Sequence, residues 1–392
     1  MRVLCLTPWF PDRPGEREGN YIFDSVMALS AAGINVKVLV TKAWRPGRGD
    51  LDLSVFPHGM ILGLIRHISI PRNYLRGLSK WLYFIACYRK LLCHAKKHQI
   101  ELIHAHTEGV AEVAVAVGEA LNIPVVVTIH GINMSHRYIG ADKQRAYFRK
   151  VLNACDRVII VGEPLRAFFK ELVGCDDHFR VVHNGFRLTG EVPERKNILT
   201  GGNVHHISVS NLHEGKGIDI TLRALAQLNS EGTTGWIYTI VGDGAERPML
   251  EKLVTELGLD NKVKFTGAVA HDRVSGLLAQ ADIFVLPSYR EAFGIAYLEA
   301  MACGLVAVGV EGQGAAEFIR HGVNGLLVKP KNITDLAEKL RYLQENSVQA
   351  NAMAAAGAET ARFDFNWEHH ACALVSLYSE VISEKGANSC RY

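Results

Sequence analysis

The chain has 392 residues, which is long for one domain and sufficient for two. Hydrophobic residues make up 48% of it and charged residues 21%, which excludes a disordered or fibrous protein. The formal net charge of +3 is too small to indicate a class of partner, so the distribution of the charges is more informative than their sum.

Eight cysteines are spread over the chain without a Cys-x-x-Cys pair, and several lie in apolar runs. This pattern is typical of reduced thiols in a cytosolic protein, and it lacks the spacing of metal ligands. The first apolar run is too short for a signal peptide, and none reaches the roughly 18 residues of a spanning helix. We therefore expect a cytoplasmic protein, with contact at the inner face of the plasma membrane left open.

In the first half of the chain, short and nearly continuous apolar runs predict parallel strands that are covered on both faces. Helical patterns separate these runs, and helix-stop signals such as Ala32-Gly33 are followed at once by a strand. This is the order of βαβ units. The predicted strands are Arg2–Thr7, Asn35–Thr41, Ile100–His104, Pro124–Ile129, Arg157–Val161 and Arg180–Val182, and the helices include Tyr21–Ala32 and Gly109–Leu121.

A polar stretch over 186–203 interrupts this pattern and predicts a linker, after which a second βα series follows. The chain is thus predicted as two α/β domains with parallel sheets, 1–190 and 191–365, that face each other across a ligand-binding cleft. The C-terminal part, 366–392, contains most of an amphipathic segment, Phe365–Ile382, and either completes the second core or crosses back onto the first domain. The predicted elements of the second series are the strands His206–Ser210, Trp236–Val241, Lys262–Phe265, Asp282–Leu286, Leu305–Val308 and Gly325–Val328, and the helices Thr221–Asn229, Glu246–Leu257 and Ile333–Glu345.

The strongest functional signal lies in 287–304, Pro-Ser-Tyr-Arg-Glu-Ala-Phe-Gly-Ile-Ala-Tyr-Leu-Glu-Ala-Met-Ala-Cys-Gly. Its pattern predicts a helix over Ala292–Ala302, which follows a strand and a turn. Glu291 then lies just before this helix, and Glu299 lies about two turns inside it. At ~1.5 Å per residue, the two carboxylates are about 12 Å apart along the helix axis.

Two carboxylates at this separation suit a ligand that carries hydroxyl groups on both sides of a diphosphate. Main-chain amides around Phe293 and Gly294 would bind the diphosphate at the helix N-terminus, where glycine permits a close approach. The alternative is that Glu291 only interacts with the helix dipole and that Glu299 is solvated. The apolar surroundings of Glu299 disfavour this alternative, because an unpaired carboxylate is costly there.

Glu291-x7-Glu299 within Pro-Ser-x-x-Glu-Ala-Phe-Gly resembles the signature of retaining glycosyltransferase family 4, whose members have the GT-B fold of two Rossmann-like domains. The resemblance implies that Glu299 holds the ribose of the donor and that Glu291 contacts the transferred sugar. It also implies that the main chain of Ala292, Phe293 and Gly294 binds the sugar and the diphosphate.

The segment 208–219, Ser-Val-Ser-Asn-Leu-His-Glu-Gly-Lys-Gly-Ile-Asp, is similar to the family loop whose arginine and lysine hold the diphosphate. Lys216 matches the lysine, and a cation there would stabilise the leaving diphosphate without a metal ion. Asn211 occupies the position of the arginine, and this departure weakens the expected hold on the diphosphate. No cofactor is expected, and a UDP-sugar is the preferred donor, with a GDP-sugar as the alternative.

His130 ends a predicted strand in Thr-Ile-His-Gly and matches the active-site histidine of the family. That histidine contacts the donor sugar, and its carbonyl stabilises positive charge at the anomeric carbon; a satisfied core histidine is the alternative. His104 and His106 are predicted to be structural or acceptor-side residues and not metal ligands. Gly19 and Asn20 end a Gly-Glu-Arg-Glu-Gly-Asn loop that resembles the family's glycine loop near the donor phosphate and the acceptor.

Further matches concern the nucleoside and the hinge. Gly242-Asp-Gly244 and Phe265-Thr-Gly267 lie at the ends of predicted strands where the family places the base and the ribose, and main-chain groups around Gly267–Val269 would contact the base. Arg187 departs from the acidic residue that commonly follows the hinge in the family. Asp50-Leu-Asp52 matches a metal-binding Asp-x-Asp only superficially, because it follows no strand in a suitable position, so no metal requirement is expected.

Residues 53–100 contain no acidic residue. This composition suits adsorption on an anionic membrane, with aromatic rings at the level of the lipid headgroups. The alternative is a set of amphipathic helices with a solvated basic face, and no nucleic-acid motif accompanies the charge. The basic residues are Arg66, Arg72, Arg76, Lys80, Arg89, Lys90, Lys96 and Lys97, interleaved with Phe56, Tyr74, Trp81, Tyr83, Phe84 and Tyr88.

The sequence therefore predicts a retaining, metal-independent hexosyltransferase that moves a sugar from a nucleoside diphosphate to a glycan or lipid-linked acceptor. The opening segments resemble those of bacterial members that make cell-surface polysaccharides. Two alternatives stay open, namely an epimerase or hydrolase of the same architecture and a catalytically silent sugar-nucleotide-binding protein. A dinucleotide oxidoreductase is disfavoured, because no Gly-x-Gly-x-x-Gly follows a strand.

Overall fold

The computed structural model describes residues 1–13, 19–44, 53–68, 76–131, 142–188, 199 and 203–389. The chain forms two compact units, unit 1 from Met1–Asn184 with Trp367–Tyr392, and unit 2 from Gly185–Asn366. The Asp50-Leu-Asp52 motif, the first part of the glycine loop and most of the predicted linker lie outside the described residues.

Unit 1 is built on a seven-stranded parallel sheet with the order β3-β2-β1-β4-β5-β6-β7. Helices connect successive strands wherever the described chain is continuous, as crossovers between parallel strands require. The strand order reverses between β1 and β4, which creates a crevice at the carboxyl ends of the strands. The strands are β1 (Arg2–Thr7), β2 (Asn35–Trp44), β3 (Ile61–Ile68), β4 (Leu102–His106), β5 (Val125–Ile129), β6 (Arg157–Ile160) and β7 (Phe179–Val181), and the helices are α1 (Asn20–Ala31), α2 (Arg76–Lys97), α3 (Glu108–Leu121), α4 (Asp142–Asn153) and α5 (Pro164–Val173).

Unit 2 repeats this plan with a six-stranded parallel sheet in the order β10-β9-β8-β11-β12-β13. Here the order reverses between β8 and β11, so the loops after these two strands lie side by side. The strands are β8 (Val204–Val209), β9 (Trp236–Val241), β10 (Val263–Gly267), β11 (Ile283–Val285), β12 (Val306–Val310) and β13 (Leu326–Val328), and the helices are α6 (Ile218–Ser230), α7 (Arg247–Glu256), α8 (His271–Leu278), α9 (Ile295–Ala302), α10 (Ile333–Glu345) and α11 (Ser347–Asp364).

The last helix, α12 (Trp367–Ser389), belongs to unit 1, where Leu374 and its neighbours are buried in the hydrophobic core. His370 anchors it through two hydrogen bonds of 2.7 Å, one to the carbonyl oxygen of His183 and one to the hydroxyl of Ser25 in α1. Because a carbonyl only accepts, Nδ1 of His370 carries the proton and the Ser25 hydroxyl donates to Nε2. The sequence left two packing partners open for this helix, and in the structure it packs in the first unit.

The structure differs from the predicted elements at two informative places. The strand β3 has no predicted counterpart, because Gly63 and Arg66 interrupt its apolar run; at the edge of the sheet a strand has one neighbour and needs less burial. The helix predicted over Ala292–Ala302 begins at Ile295, because Gly294 adopts a φ of +100° that a right-handed helix excludes. The predicted bounds of β1, β9 and α10 agree with the structure.

Two features of the described residues bear on the cellular setting. None of their helices has both the length and the apolar character needed to cross a bilayer. Their seven cysteines are free thiols, of which four are buried.

Candidate active site

Lys216 is positioned by contacts between two loops at the carboxyl edge of the unit 2 sheet, the edge at which the strands end. It closes a short 3-10 turn after β8. The amide of Tyr289, in the loop after β11, donates to the carbonyl of Gly215 over 3.0 Å. A Cβ atom at Gly217 would lie 2.4 Å from the carbonyl oxygen of Pro287, so glycine is required for this close approach.

Lys216 and Glu291 form an ion pair, in which Nζ donates to Oε2 over 2.7 Å. Their side chains are only 16% and 12% exposed, so solvent screens the attraction weakly. The turn after β12 fixes the main chain of Glu291: its amide donates to Gln313 Oε1 over 3.1 Å, and its carbonyl accepts from the amide of Gly314 over 3.0 Å. The structure thus brings together the cation and the first carboxylate that the sequence singled out.

Ala292, Phe293 and Gly294 form the turn that leads into α9, and not its first helical turn as predicted. Gly294 has a left-handed conformation, and a Cβ atom there would lie 2.7 Å from the ring of Tyr297. Gly294, the N-cap residue of the helix that starts at Ile295, provides no side-chain hydrogen bond, so the positive end of the helix dipole faces this turn. The Phe293 side chain is buried, so on this side only its main chain is available to a ligand.

Glu299 is 8% exposed, which contradicts the solvated alternative. Loss of hydration raises the pKa of this carboxyl to about 8. His271 Nε2 lies 3.7 Å from Oε1, and burial followed by repulsion from Arg187 lowers the pKa of that imidazole. At neutral pH the contact therefore joins two largely uncharged groups, in a small cavity that is also lined by Ser275.

The remaining unit 2 candidates also follow strands at the carboxyl edge. Gly242 donates its amide hydrogen to the carbonyl of Gly267 over 2.9 Å, and a Cβ atom at Gly242 would lie 1.8 Å from the carbonyl oxygen of Ser210. The ends of β8, β9 and β10 are therefore drawn together through main-chain contacts. Asn211 is exposed directly after β8, and Val269 is half-buried between β10 and α8.

In unit 1, Gly19 precedes α1 in a left-handed conformation with a φ of +79°. A Cβ atom there would lie within 2.7–2.8 Å of main-chain atoms of Trp9 and Phe10, so the fold itself requires glycine at this position. Asn20 Nδ2 donates to Asp24 Oδ2 over 2.8 Å, which directs the amide along the first turn of α1.

His130 follows β5, and its ring packs on that of Tyr21 with centroids 4.7 Å apart. Its Nε2 is hydrogen bonded to Nδ1 of His106 over 2.9 Å. Burial, with repulsion from His104 and His370, lowers the pKa of His130 to about 3. The side chain is thus a neutral imidazole at neutral pH, suited to hydrogen bonding and too weakly basic for efficient proton abstraction.

Sequence reasoning missed Gln313, Tyr297, His271 and Tyr21. A signal existed for Gln313, because Gly312-Gln-Gly314 follows β12, and the loops after parallel strands converge at one edge. The other three lie in helices, where residues that face a site have the same spacing as residues that face the core.

Comparisons with known proteins agree with this architecture. Residues 19–189 match the family described as Glycosyltransferase Family 4, and residues 194–360 match the family described as Glycosyl transferases group 1. A glycogen synthase of Mycobacterium tuberculosis is 27% identical over 401 residues, covering 96% of this chain and 94% of that protein. A D-inositol 3-phosphate glycosyltransferase of an Arthrobacter species is 26% identical over 401 residues, covering 95% and 93%.

Among solved structures, HepE of Anabaena in complex with UDP has a TM-score of 0.75 at 22% identity, covering 97% of this chain and all of that chain. The same protein in complex with UDP-glucose has a TM-score of 0.73 at 23% identity, with the same coverage. Two Rossmann-like units with parallel sheets define a protein of the GT-B class, as the sequence predicted. Within that class, the chain belongs to the glycosyltransferases of family 4.

Proposed function

We propose that this glycosyltransferase moves a sugar, with retention of configuration, from a nucleoside diphosphate to a glycan or lipid-linked acceptor in cell-surface polysaccharide synthesis. The observation that carries the proposal is the Lys216–Glu291 pair, a cation and a carboxylate fixed at the carboxyl edge beside the N-terminus of α9. A UDP-sugar is the preferred donor, since HepE binds UDP and UDP-glucose. A GDP-sugar is the second donor to test.

On donor binding, Lys216 exchanges its ion pair with Glu291 for an ion pair with the diphosphate. Glu291 then accepts hydrogen bonds from hydroxyls of the transferred sugar. Lys216 and the amides of the turn before α9 stabilise the charge that develops as the sugar–diphosphate bond breaks. A diphosphate oxygen accepts the proton of the acceptor hydroxyl while the new bond forms on the same face, which retains the configuration. No carboxylate of the chain acts as a nucleophile, and Lys216 supplies the charge that a metal ion supplies elsewhere.

The other candidates orient the donor. Glu299 holds the ribose hydroxyls, with main-chain groups near Gly267 and Val269 at the base. His130 contacts the transferred sugar as a neutral imidazole. Asn211 contributes a hydrogen bond to the diphosphate without a charge.

The decisive experiment separates binding from transfer. Thermal shift with UDP and GDP identifies the base, because a ligand of the folded form raises its apparent stability. The matching sugar nucleotides are then incubated alone and with oligosaccharide or lipid-linked acceptors, and the anomeric configuration of the product is read by NMR. Transfer with retention in EDTA is expected. Donor consumption without an acceptor would identify an epimerase or hydrolase, and binding without turnover would identify a silent protein.

The acceptor side of the proposal includes contact with an anionic membrane through α2. Trp81 and Leu82 are 57% and 46% exposed on this helix. Arg89 and Lys96 are exposed further along it, whereas Lys80 lies 3.5 Å from Glu112 and is partly neutralised. Apolar side chains together with exposed cations favour adsorption on anionic lipid.

The double variant Arg89→Glu/Lys96→Glu should bind vesicles containing phosphatidylserine at least ~10-fold more weakly, because each cation near such a surface contributes about 1 kcal/mol. Co-sedimentation with vesicles at low salt measures this effect. Lys264→Glu, at an exposed position in unit 2, is the matched control. Equal binding of the double variant and the control would rule out α2 as the contact surface.

A further inference from the structure

A continuous column of side chains connects α12 with His130. His104 in β4 is hydrogen bonded at both ring nitrogens over 2.6 Å, through Nδ1 to the hydroxyl of Tyr378 and through Nε2 to that of Thr128. The ring of His106 stacks on that of His104 with centroids 4.3 Å apart. The ring of His130 is nearly parallel to that of His106, with 9° between the planes and 5.2 Å between the centroids.

The three imidazoles of this column are uncharged at neutral pH. Burial lowers the pKa of His104 and of His106 well below the ordinary range, and repulsion from neighbouring histidines lowers them further. The hydrogen bond between His106 Nδ1 and His130 Nε2 therefore joins two neutral rings, so one nitrogen donates and the other accepts.

This bond determines the chemistry of the second nitrogen of His130. That atom, Nδ1, is buried and has no hydrogen-bond partner within the described part of the chain. If His106 donates, Nδ1 of His130 carries a proton and can donate; if His106 accepts, Nδ1 carries a lone pair and can accept. Without His106, Nε2 of His130 would lose the partner that orients its ring and couples its tautomer to that of a neighbour.

We propose that His106 is a positioning residue, which orients the ring of His130 toward the transferred sugar and couples the tautomer of His130 to its own. The ring of His104 packs against that of His106, and the hydrogen bond to the hydroxyl of Tyr378 fixes the orientation of His104. The return of α12 to unit 1 thus contributes to the order of the active site. This inference rests on the proposed function, because it takes His130 to contact the donor sugar.

Two substitutions test the role of His106. His106→Leu removes the hydrogen-bonding group, whereas His106→Asn keeps an amide near the position of Nδ1. We expect the leucine variant to lose about 10²-fold in kcat with little change in the KM of the donor, because the misplaced group acts in the transition state. The asparagine variant should recover most of this loss, which a purely structural role would not predict.

Nitrogen-15 NMR of histidine-labelled protein supplies a readout that does not depend on activity. The ring-nitrogen shifts of His130 should be similar in the wild type and in His106→Asn and should change in His106→Leu, where the tautomer is no longer coupled to that of residue 106. If the leucine variant does not fold, Tyr378→Phe replaces it, since this change removes one hydroxyl and should broaden the same signals. An unchanged tautomer, or a wild-type kcat in the leucine variant, would overturn the inference.

The role of His130 in the proposed function is tested separately from this inference. Wild-type transfer activity in His130→Ala would show that His130 does not contact the donor sugar, whatever the NMR signals show. Loss of activity in that variant, combined with an undisturbed tautomer in His106→Leu, would leave His130 in its role and remove His106 from the proposed one.

Discussion

Replacement of Lys216 by methionine should lower kcat/KM for sugar transfer by about 10²–10³-fold, the loss typical of a removed donor to a developing negative charge. Methionine keeps the length of the side chain and removes the charge. Most of the loss should appear in kcat, because the charge on the diphosphate grows as the bond to the sugar breaks. Lys216→Arg keeps the charge and should retain part of the activity.

The ion pair with Glu291 complicates this variant and provides its control. Loss of the lysine leaves a nearly buried carboxylate without its partner, which should cost on the order of 2 kcal/mol in the free energy of unfolding. The double variant Lys216→Met/Glu291→Gln removes both charges and should recover stability without recovering transfer. If the double variant regained activity together with stability, the defect of the single variant would lie in folding, and the assigned role of Lys216 would be wrong.

The positions of Lys216 and Glu291 in the fold could be predicted from the sequence because the signals for them are local. Lys216 lies in a loop directly after a strand, and Glu291 directly before a helix, so βαβ order alone places both at the carboxyl edge of one sheet. The start of α9 was placed three residues too early, because Ala292 and Phe293 suit a helix. What excludes the helix there is the left-handed conformation of Gly294, with a φ of +100°, which a helical pattern does not reveal.

The column formed by His104, His106 and His130 could not be predicted from the sequence, for a different reason. His104 and Tyr378 are 274 positions apart in the chain, and their contact exists only because α12 returns to unit 1. An amphipathic pattern shows that this helix buries one face, but not which core receives it. That choice depends on complementary groups such as Ser25, which bonds His370 and has no distinctive local pattern.

The second large effect is expected at Glu299. Burial in the fold favours the protonated carboxyl, whereas the proposed binding of ribose uses the ionised one. The folded protein holds this carboxyl at a pKa of about 8, above the ordinary value of 4.5. Between these two values the folded state keeps a proton that the unfolded state releases, so the free energy of unfolding falls as the pH rises. Glu299→Gln has no such proton, and its stability relative to the wild type should increase by about 3 kcal/mol from pH 5 to pH 8.

If Glu299 binds the ribose as proposed, the same substitution should weaken the binding of UDP by about 10–100-fold, because an amide cannot accept hydrogen bonds from both ribose hydroxyls as an ionised carboxyl does. Hydrogen exchange of α9 as a function of pH measures the stability of unit 2 separately from that of unit 1, and isothermal calorimetry measures the affinity. Glu256→Gln, at an exposed carboxylate in α7, should change neither quantity. A variant that is stabilised at pH 8 but binds UDP normally would show that the burial of Glu299 serves packing and not the ribose. A variant that loses UDP without the gain in stability would show that the carboxyl is already ionised at neutral pH in the folded protein.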